Sequence, residues 1–92
     1  MKSYVCITGG SGVLGRTFAG QCAEKGWNLL LTDRNADALS AYAHELQSRF
    51  DIDVKYSACD LLDMAQRDAL YEWMRKEGFR VWMLINVAGI FG

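Results

Sequence analysis

A glycine-rich segment near the amino terminus is the part of the sequence with the clearest chemical meaning. Gly9, Gly12 and Gly15 form G-x-x-G-x-x-G, and counted from Gly10 the same segment also fits G-x-G-x-x-G. It follows an apolar run and precedes a helical pattern, where glycine lets the backbone turn sharply and approach a pyrophosphate. The free N–H groups and partial positive charge of a helix N-terminus favour phosphate. The segment therefore predicts a dinucleotide-binding turn.

Asp33 and Arg34 are the second pair of residues with a chemical role to consider. Asp33 ends the second apolar run, at about the distance from the turn at which an acidic residue meets an adenosine ribose. Its carboxylate would accept hydrogen bonds from both ribose hydroxyls and repel a 2′-phosphate, which favours NAD. Arg34 would instead pair with a 2′-phosphate, so NADP stays open. A solvated strand end and a surface charge are the plain alternatives for the two residues.

The elements that must position these residues follow from the spacing of apolar residues. Strands are predicted at Tyr4–Thr8, Leu29–Thr32, Asp53–Cys59 and Val81–Ile85, with a helix between each successive pair. Nearly continuous apolar strands separated by helices predict a parallel sheet covered on both faces. With right-handed crossovers this is an α/β fold, a partial Rossmann-like doubly wound sheet of strand order 3-2-1-4.

The helices carry their own start and stop signals. Asn35 is expected to cap the second helix and Asp63 the third, while Gly26 and Gly78 are expected to end the first and third. Helical spacing predicts which residues face the sheet. These are Leu14, Phe18 and Cys22 in the first helix, and Ala69-Leu70 with Trp73-Met74 in the third.

Composition excludes several classes of protein. The chain has 92 residues, of which 51% are hydrophobic, with no proline and a net charge of -1, so disordered and collagen-like chains are excluded. Ten basic against eleven acidic residues leave no basic excess for nucleic acid, and no apolar run is long enough for a membrane span. Three scattered cysteines and one histidine predict reduced thiols, no metal site and a cytoplasmic protein.

Three motifs together resemble the short-chain dehydrogenase/reductase family. They are Thr8-Gly9 with Gly15 in the first turn, Cys59-Asp60-Leu61 after the third strand, and Asn86-Val87-Ala88-Gly89 after the fourth. The resemblance extends over essentially the whole chain but covers only the amino-terminal half of a typical member. Two positions depart from the family pattern: Val13 stands where the compact branch has glycine, and Val87 where the family usually has asparagine.

The resemblance implies a binding role for particular positions. Gly9, Ser11, Val13 and Leu14 would line the phosphates, and Asp33 would meet the adenosine ribose. Asp60 and Leu61 would flank the adenine ring, and Asn86, Ala88 and Gly89 would form the floor near the ribose. Gly12 and Gly15 are added to these candidates by the glycine pattern, and Arg34 by its position next to Asp33. The cofactor implied is NAD, with NADP as the alternative because of Arg34.

The family's catalytic residues are not recognisable in this chain. Family members transfer hydride to or from a carbonyl or alcohol with the help of a serine and a Tyr-x-x-x-Lys pair. Tyr71 is followed at the fourth position by Arg75, and it lies on the third predicted helix, away from the strand ends where ligands bind. We therefore expect residues 1–92 to be a dinucleotide-binding domain truncated after its fourth strand, without catalytic residues of its own.

The fourth strand suggests a second hypothesis, of a different class. Val81–Ile85 is apolar on both faces, yet the order 3-2-1-4 places it at a sheet edge. Exposed apolar edges favour strand addition or self-association. On this interpretation the chain is a non-catalytic structural module that self-associates through the fourth strand or the third helix.

Overall fold

The structure, a computed structural model, describes residues 2–87 and contains one parallel sheet with three helices. The elements are β1 (Ser3–Thr8), α1 (Val13–Glu24), β2 (Asn28–Asp33), α2 (Ala36–Arg49), β3 (Val54–Ala58), α3 (Met64–Glu77) and β4 (Arg80–Asn86). The strands are parallel in the order β3-β2-β1-β4. The predicted α/β fold, element order and strand order are confirmed.

The helix ends follow the predicted local chemistry, with one exception. The Asn35 and Asp63 side chains accept hydrogen bonds from N–H groups in the first turns of α2 and α3. Gly26 and Gly78, with φ of 79° and 71°, end the turns after α1 and α3 in the left-handed conformation that favours glycine. The exception is α1, whose N-cap is Gly12 and has no side-chain hydrogen bond.

Side chains alternate between the two faces of the sheet, and each face has its own core. On one face, the first two helices pack over Val5, Ile7 and residues of β2 such as Leu31. On the other face, Tyr4 and its neighbours Cys6 and Leu30 pack against the half-buried Trp73, Met74 and Phe79 at α3 and its end. The sheet is thus covered on both sides, as its apolar strands predicted.

The face that α1 turns toward the sheet differs from the predicted one. The residues buried in this helix are Gly15, Ala19, Cys22 and Ala23. Leu14 and Phe18 are only half-buried and pack at the margin of the core. A Cβ atom on Gly15 would lie 2.0 Å from the Gly9 carbonyl oxygen, so the helix approaches the backbone too closely for large side chains. Of the predicted stripe, Cys22 is buried, and Leu14 and Phe18 face the core without being fully buried.

The inner face of α3 is narrower than predicted. Leu70 is the only fully buried residue of this helix, and Ala69 is exposed. Next to it, β4 forms an edge of the described sheet and exposes Val81 and Leu84. The Trp82 ring meets Trp27 edge-on, with centroids 4.9 Å apart. The apolar edge predicted from the sequence is present among the described residues.

Tyr4 makes a polar contact at the edge of the second core that responds to pH. It is 3% exposed, and its hydroxyl donates a hydrogen bond to the Asp53 carboxylate. Lys2 and Lys55 each place Nζ 3.7 Å from that carboxylate. Burial, and then the bond to Asp53, raise the pKa of Tyr4 from 10.0 to about 12.

This raised pKa predicts an alkaline loss of stability that depends on Tyr4. The unfolded chain releases the phenol proton near pH 10 and the folded chain only near pH 12, so stability from this group is complete below pH 10 and is lost as pH rises to 12. Denaturant titrations at about pH 9 and about pH 11.5 should show a smaller fall for Tyr4→Phe than for the unaltered chain. Tyr71→Phe, on an exposed side chain, should keep the full fall. Equal falls in the Tyr4→Phe and unaltered chains would contradict the assignment.

Candidate functional site

A cleft of about 820 Å³ opens at the carboxyl ends of the strands. The first turn, the end of β2, the segment after β3 and the end of β4 form its walls. Ligands of open parallel sheets bind at this edge, where the strand order reverses. Most of the residues predicted to bind the cofactor line it: Gly9, Gly12, Val13, Leu14, Asp33, Arg34, Asp60, Leu61 and Asn86. The structure therefore brings the three sequence motifs together in one place.

The first turn is tight because its ends nearly touch. Gly9 has φ of 72°, and its carbonyl oxygen accepts the Gly12 N–H at 3.2 Å. Gly15 lies directly against that carbonyl and admits no side chain. By contrast, a Cβ atom on Gly12 would have its nearest neighbour at 3.6 Å, so this position has room on its cleft side. Val13, which departs from the family's usual glycine, is compatible with the turn because no described non-glycine residue has a positive φ.

The N-terminus of α1 is open to the cleft. Its cap, Gly12, has no side chain, and no acidic residue lies in its first turn. Val13 and Leu14, whose N–H groups begin the helix, both line the cleft. Helix N-termini carry unpaired N–H groups and a partial positive charge. This end of α1 can therefore accept an anion from the cleft.

Asp33 is held in its ionised form at the opposite wall. Ser11 donates its backbone N–H at 3.1 Å and its hydroxyl at 2.7 Å to Asp33 Oδ2, and the Arg34 N–H donates to Oδ1 at 2.7 Å. Partial burial alone would raise the pKa of Asp33. The hydrogen bonds from Ser11, and from the backbone of Arg34 and Asn35, outweigh it and hold the pKa below its ordinary value. A carboxylate at this position is an acceptor for hydroxyl groups.

The segment after β3 is fixed by its own hydrogen bonds. The Cys59 N–H donates to the Asp33 carbonyl at 2.8 Å, which ties this segment to the end of β2. Asp60 Oδ1 accepts the Leu62 N–H at 3.0 Å. Burial, and then the nearby acidic side chains, raise the pKa of the Cys59 thiol, so it stays neutral. Leu61 and the exposed Leu62 give this wall an apolar surface suited to a flat ring.

The end of β4 completes the cleft. The Thr8 hydroxyl donates to Asn86 Oδ1 at 2.6 Å, which joins the ends of β1 and β4. Val87 follows and is buried. Ala88 and Gly89, which were also predicted to form this floor, lie outside the described residues. Ser11 and Gly15 do not line the cleft: Ser11 binds Asp33, and Gly15 packs beneath the turn.

Sequence reasoning missed part of the cleft wall: Thr17, Thr32, Cys59, Leu62 and Val87 line it as well. Thr32 is the most informative of them, being 2% exposed with a hydroxyl that has no hydrogen-bond partner among residues 2–87. It stands beside Thr8 and Ser57 in the strand register. A hydroxyl residue directly before Asp33, in line with one at the end of β1, is the signal that would have pointed to it.

The unpaired hydroxyl predicts that Thr32→Val stabilises the chain. Removing a buried hydroxyl without a partner removes a desolvation cost, so we expect the free energy of unfolding to rise by about 0.5–1 kcal/mol. Thr8→Val is the matched control, because its hydroxyl is bonded, and should lower stability by about 1 kcal/mol. Urea titration measures both. A loss of stability in Thr32→Val would mean that its hydroxyl has a partner.

Residues 2–87 contain no cluster of three histidine, cysteine or acidic residues placed to hold a metal ion. Within the same range no helix is both long and apolar enough to cross a bilayer. Tyr71 lies on α3 and lines a second groove beside β4, not the main cleft.

Comparison with known proteins gives the same family over nearly the whole chain. Residues 3–92 match the family described as short chain dehydrogenase. The uncharacterized oxidoreductase DltE of Bacillus subtilis is 35% identical over 89 residues, which are 97% of this chain and 33% of that protein. The sulfoacetaldehyde reductase of Chromohalobacter salexigens is 40% identical over 91 residues, 98% of this chain and 35% of that protein. The chain thus spans about a third of the length of these relatives.

Solved structures give the same result for the fold. A short-chain dehydrogenase from Sphingobium yanoikuyae in complex with NADPH matches with a TM-score of 0.79 and 30% identity, covering 89% of this chain and 32% of that one. The NADPH-dependent 3-quinuclidinone reductase from Rhodotorula rubra matches with a TM-score of 0.72 and 31% identity, covering 84% and 29%.

Proposed function

We propose, because the chain belongs to the short chain dehydrogenase family, that residues 1–92 form the dinucleotide-binding portion of an NAD(P)-dependent oxidoreductase. One juxtaposition carries the proposal: an uncapped helix N-terminus and an ionised carboxylate face the same cleft. The first suits the phosphates of a dinucleotide and the second suits ribose hydroxyls. The Sphingobium yanoikuyae dehydrogenase in complex with NADPH and the NADPH-dependent 3-quinuclidinone reductase support the same class of cofactor.

The described residues fit such a cofactor. A cleft of about 820 Å³ is within the usual size of small-molecule sites. Gly12 leaves room for a phosphate at the start of α1, where any larger side chain would project. Leu61 and Leu62 provide an apolar wall beside the polar Asp33. When bound, the dinucleotide would supply the hydride acceptor or donor that this chain's side chains lack.

We assign the contacts by wall of the cleft. In this proposal Gly9, Gly12, Val13 and Leu14 bind the phosphates, Gly15 permits the turn, Ser11 acts through Asp33, Asp33 and Arg34 meet the adenosine ribose, Asp60 and Leu61 flank the adenine, and Asn86, Ala88 and Gly89 form the floor.

We propose NAD(H) over NADP(H) as the preferred form. The ionised Asp33 lines the cleft and would repel a 2′-phosphate, while it accepts hydrogen bonds from the unmodified ribose. Arg34 also lines the cleft and is exposed, so it is the group that would admit NADP(H). The two similar structures of NADPH-using proteins, from Sphingobium yanoikuyae and Rhodotorula rubra, favour that alternative.

Direct binding tests the proposal. Isothermal titration with NADH and NADPH should give a saturable heat, and NADH should raise the midpoint of thermal unfolding. Gly12→Asp is the matched variant, because it places a carboxylate at the start of α1 and should repel the phosphates of both dinucleotides. Binding that Gly12→Asp leaves unchanged, or no binding to the unaltered chain, would refute the proposal.

The activity of the whole protein is a further part of the proposal. We propose hydride transfer between the dinucleotide and a carbonyl or alcohol, which the catalytic residues of the family perform beyond the motifs found here. We therefore expect binding but no turnover from residues 1–92, measured as the loss of NADH absorbance with a panel of ketones and aldehydes. The three cysteines are buried thiols, which supports the proposed cytoplasmic location.

The exposed β4 surface favours self-association as a second candidate function. This surface is formed by Tyr71 and Met74 of α3 with Val81 and Leu84 of β4, which line a groove of about 360 Å³. Leu84 is 63% exposed, on a strand at the edge of the described sheet. Contiguous apolar surface of this kind favours association.

Light scattering after gel filtration tests this candidate. We expect the apparent mass to rise with concentration, and Leu84→Lys to restore the monomer because it places a charge in the groove. Leu62→Lys is the control, since Leu62 is 87% exposed but lies outside the β4 surface. A monomer at every concentration would exclude self-association.

A further inference from the structure

Ser11 is distinct from the other residues of the first turn. Its neighbours Gly9 and Gly12 line the cleft, whereas Ser11 does not. Its backbone N–H and its hydroxyl both donate to one oxygen, Oδ2 of Asp33, at 3.1 and 2.7 Å. The family resemblance places Ser11 at the phosphates. In the structure, however, its backbone N–H and hydroxyl both bind the Asp33 carboxylate.

We propose that Ser11 is a positioning residue that sets the preference for NAD(H) over NADP(H), because it fixes the Asp33 carboxylate at the cleft wall. This inference rests on the proposed function. It means that Ser11 acts by holding the Asp33 carboxylate and does not itself bind the phosphates.

Hydrogen bonds on both oxygens fix the orientation of this carboxylate. Ser11 binds Oδ2 from the turn, and the Arg34 N–H binds Oδ1 from the strand end. The terminal torsion of an aspartate is otherwise broad, so a carboxylate without these donors would have a less defined orientation. Since each donor favours the charged form, the pKa of Asp33 is held below its ordinary value despite partial burial.

The position of Ser11 is itself fixed by the fold. The residue before it, Gly10, donates its N–H to the Thr32 carbonyl at 3.0 Å. Two successive residues of the turn are therefore bonded to two successive residues of β2. A Cβ atom on Gly10 would lie 3.2 Å from the Leu31 Cβ, so this contact leaves little free space. These contacts fix the distance between the first turn and the Asp33 carboxylate.

Two other charged groups line this end of the cleft. Arg34 follows Asp33 directly and Asp60 lies on the wall after β3. Arg34 attracts a 2′-phosphate and Asp33 repels it, so the balance depends on whether Asp33 is charged and held in place. Ser11 supplies two of the hydrogen bonds that meet both conditions.

The test compares Ser11→Ala with Ser11→Thr in two measurements. In Ser11→Ala the hydroxyl donor is lost and the backbone N–H remains, so we expect the ratio of NADPH to NADH dissociation constants to fall about three- to tenfold. Ser11→Thr keeps a hydroxyl and should restore the ratio. NMR titration of the Asp33 carboxyl in the free chain should show a higher pKa in Ser11→Ala than in the unaltered chain, with Ser11→Thr close to the latter.

Each outcome has a single interpretation. An unchanged ratio in Ser11→Ala, or tighter NADH binding because the hydroxyl competes with the ribose, would overturn the inference while leaving the proposed function intact. Failure of the unaltered chain to bind either dinucleotide would instead refute the proposed function. If Ser11→Ala does not fold, Ser11→Cys provides the same comparison, because a thiol is a weak donor.

Discussion

Replacing Gly15 by alanine is expected to lower the free energy of unfolding by about 3 kcal/mol and to abolish dinucleotide binding. The added Cβ atom would lie 2.0 Å from the Gly9 carbonyl oxygen and 2.8 Å from its carbon. Both are backbone atoms, so no flexible side chain can move aside. Either α1 must shift away from the sheet or the turn must open, and each change separates the N–H groups that we propose bind the phosphates from Asp33. Urea titration measures the first effect and calorimetry with NADH the second.

Gly20→Ala is the matched control for this prediction. Gly20 lies in the same helix, and a Cβ atom there would meet only the Tyr42 hydroxyl, at an ordinary 3.8 Å. Alanine in a helix interior should then raise stability by about 0.5–1 kcal/mol, because it restricts the unfolded chain more than glycine does. Full stability in Gly15→Ala, or an equal loss in both variants, would show that the close approach of Gly15 to Gly9 is not what fixes the turn.

Features that depend on neighbouring residues could be predicted from the sequence. Asn35 and Asp63 cap their helices with their own side chains, and Gly78 adopts the left-handed conformation that ends α3. Each signal involves residues within one helical turn, so it can be found without knowing the fold. The strand order followed as well, since apolar strands joined by helices have few ways to pair.

Features that depend on distances across the fold could not be predicted in this way. Leu14 and Phe18 have the right spacing for a buried stripe, but they stay half-buried against the core. The helix comes closest to the turn at Gly15, where a Cβ atom would lie 2.0 Å from the Gly9 carbonyl oxygen. Ser11 and Asp33 belong to different elements, and no local pattern shows that one donates two hydrogen bonds to the other. The spacing of Asp33 from the first turn made it a candidate for cofactor binding, but no local pattern identified Ser11 as the residue that holds its carboxylate.

Removing the Asp33 carboxylate should have the second large effect. We expect it to change the relative affinity for NADH and NADPH. Asp33→Ser removes the carboxylate that we propose accepts hydrogen bonds from the ribose hydroxyls, so we expect NADH affinity to fall about tenfold or more. Arg34 stays at the same wall of the cleft without an opposing charge, so NADPH should bind more tightly than to the unaltered chain. Calorimetric titration of both dinucleotides into both proteins measures the reversal.

Two further variants separate this effect from a general change of charge. Asp37→Ser removes an exposed carboxylate from the first turn of α2, outside the cleft, and should leave both affinities unchanged. Adding Arg34→Ser to Asp33→Ser should remove the gain for NADPH without restoring NADH, because neither charge then remains at the ribose. If Asp33→Ser binds NADH as the unaltered chain does, Asp33 does not contact the ribose. In that case any preference for NAD(H) has to come from another wall of the cleft, where Asp60 is the remaining carboxylate among the described lining residues.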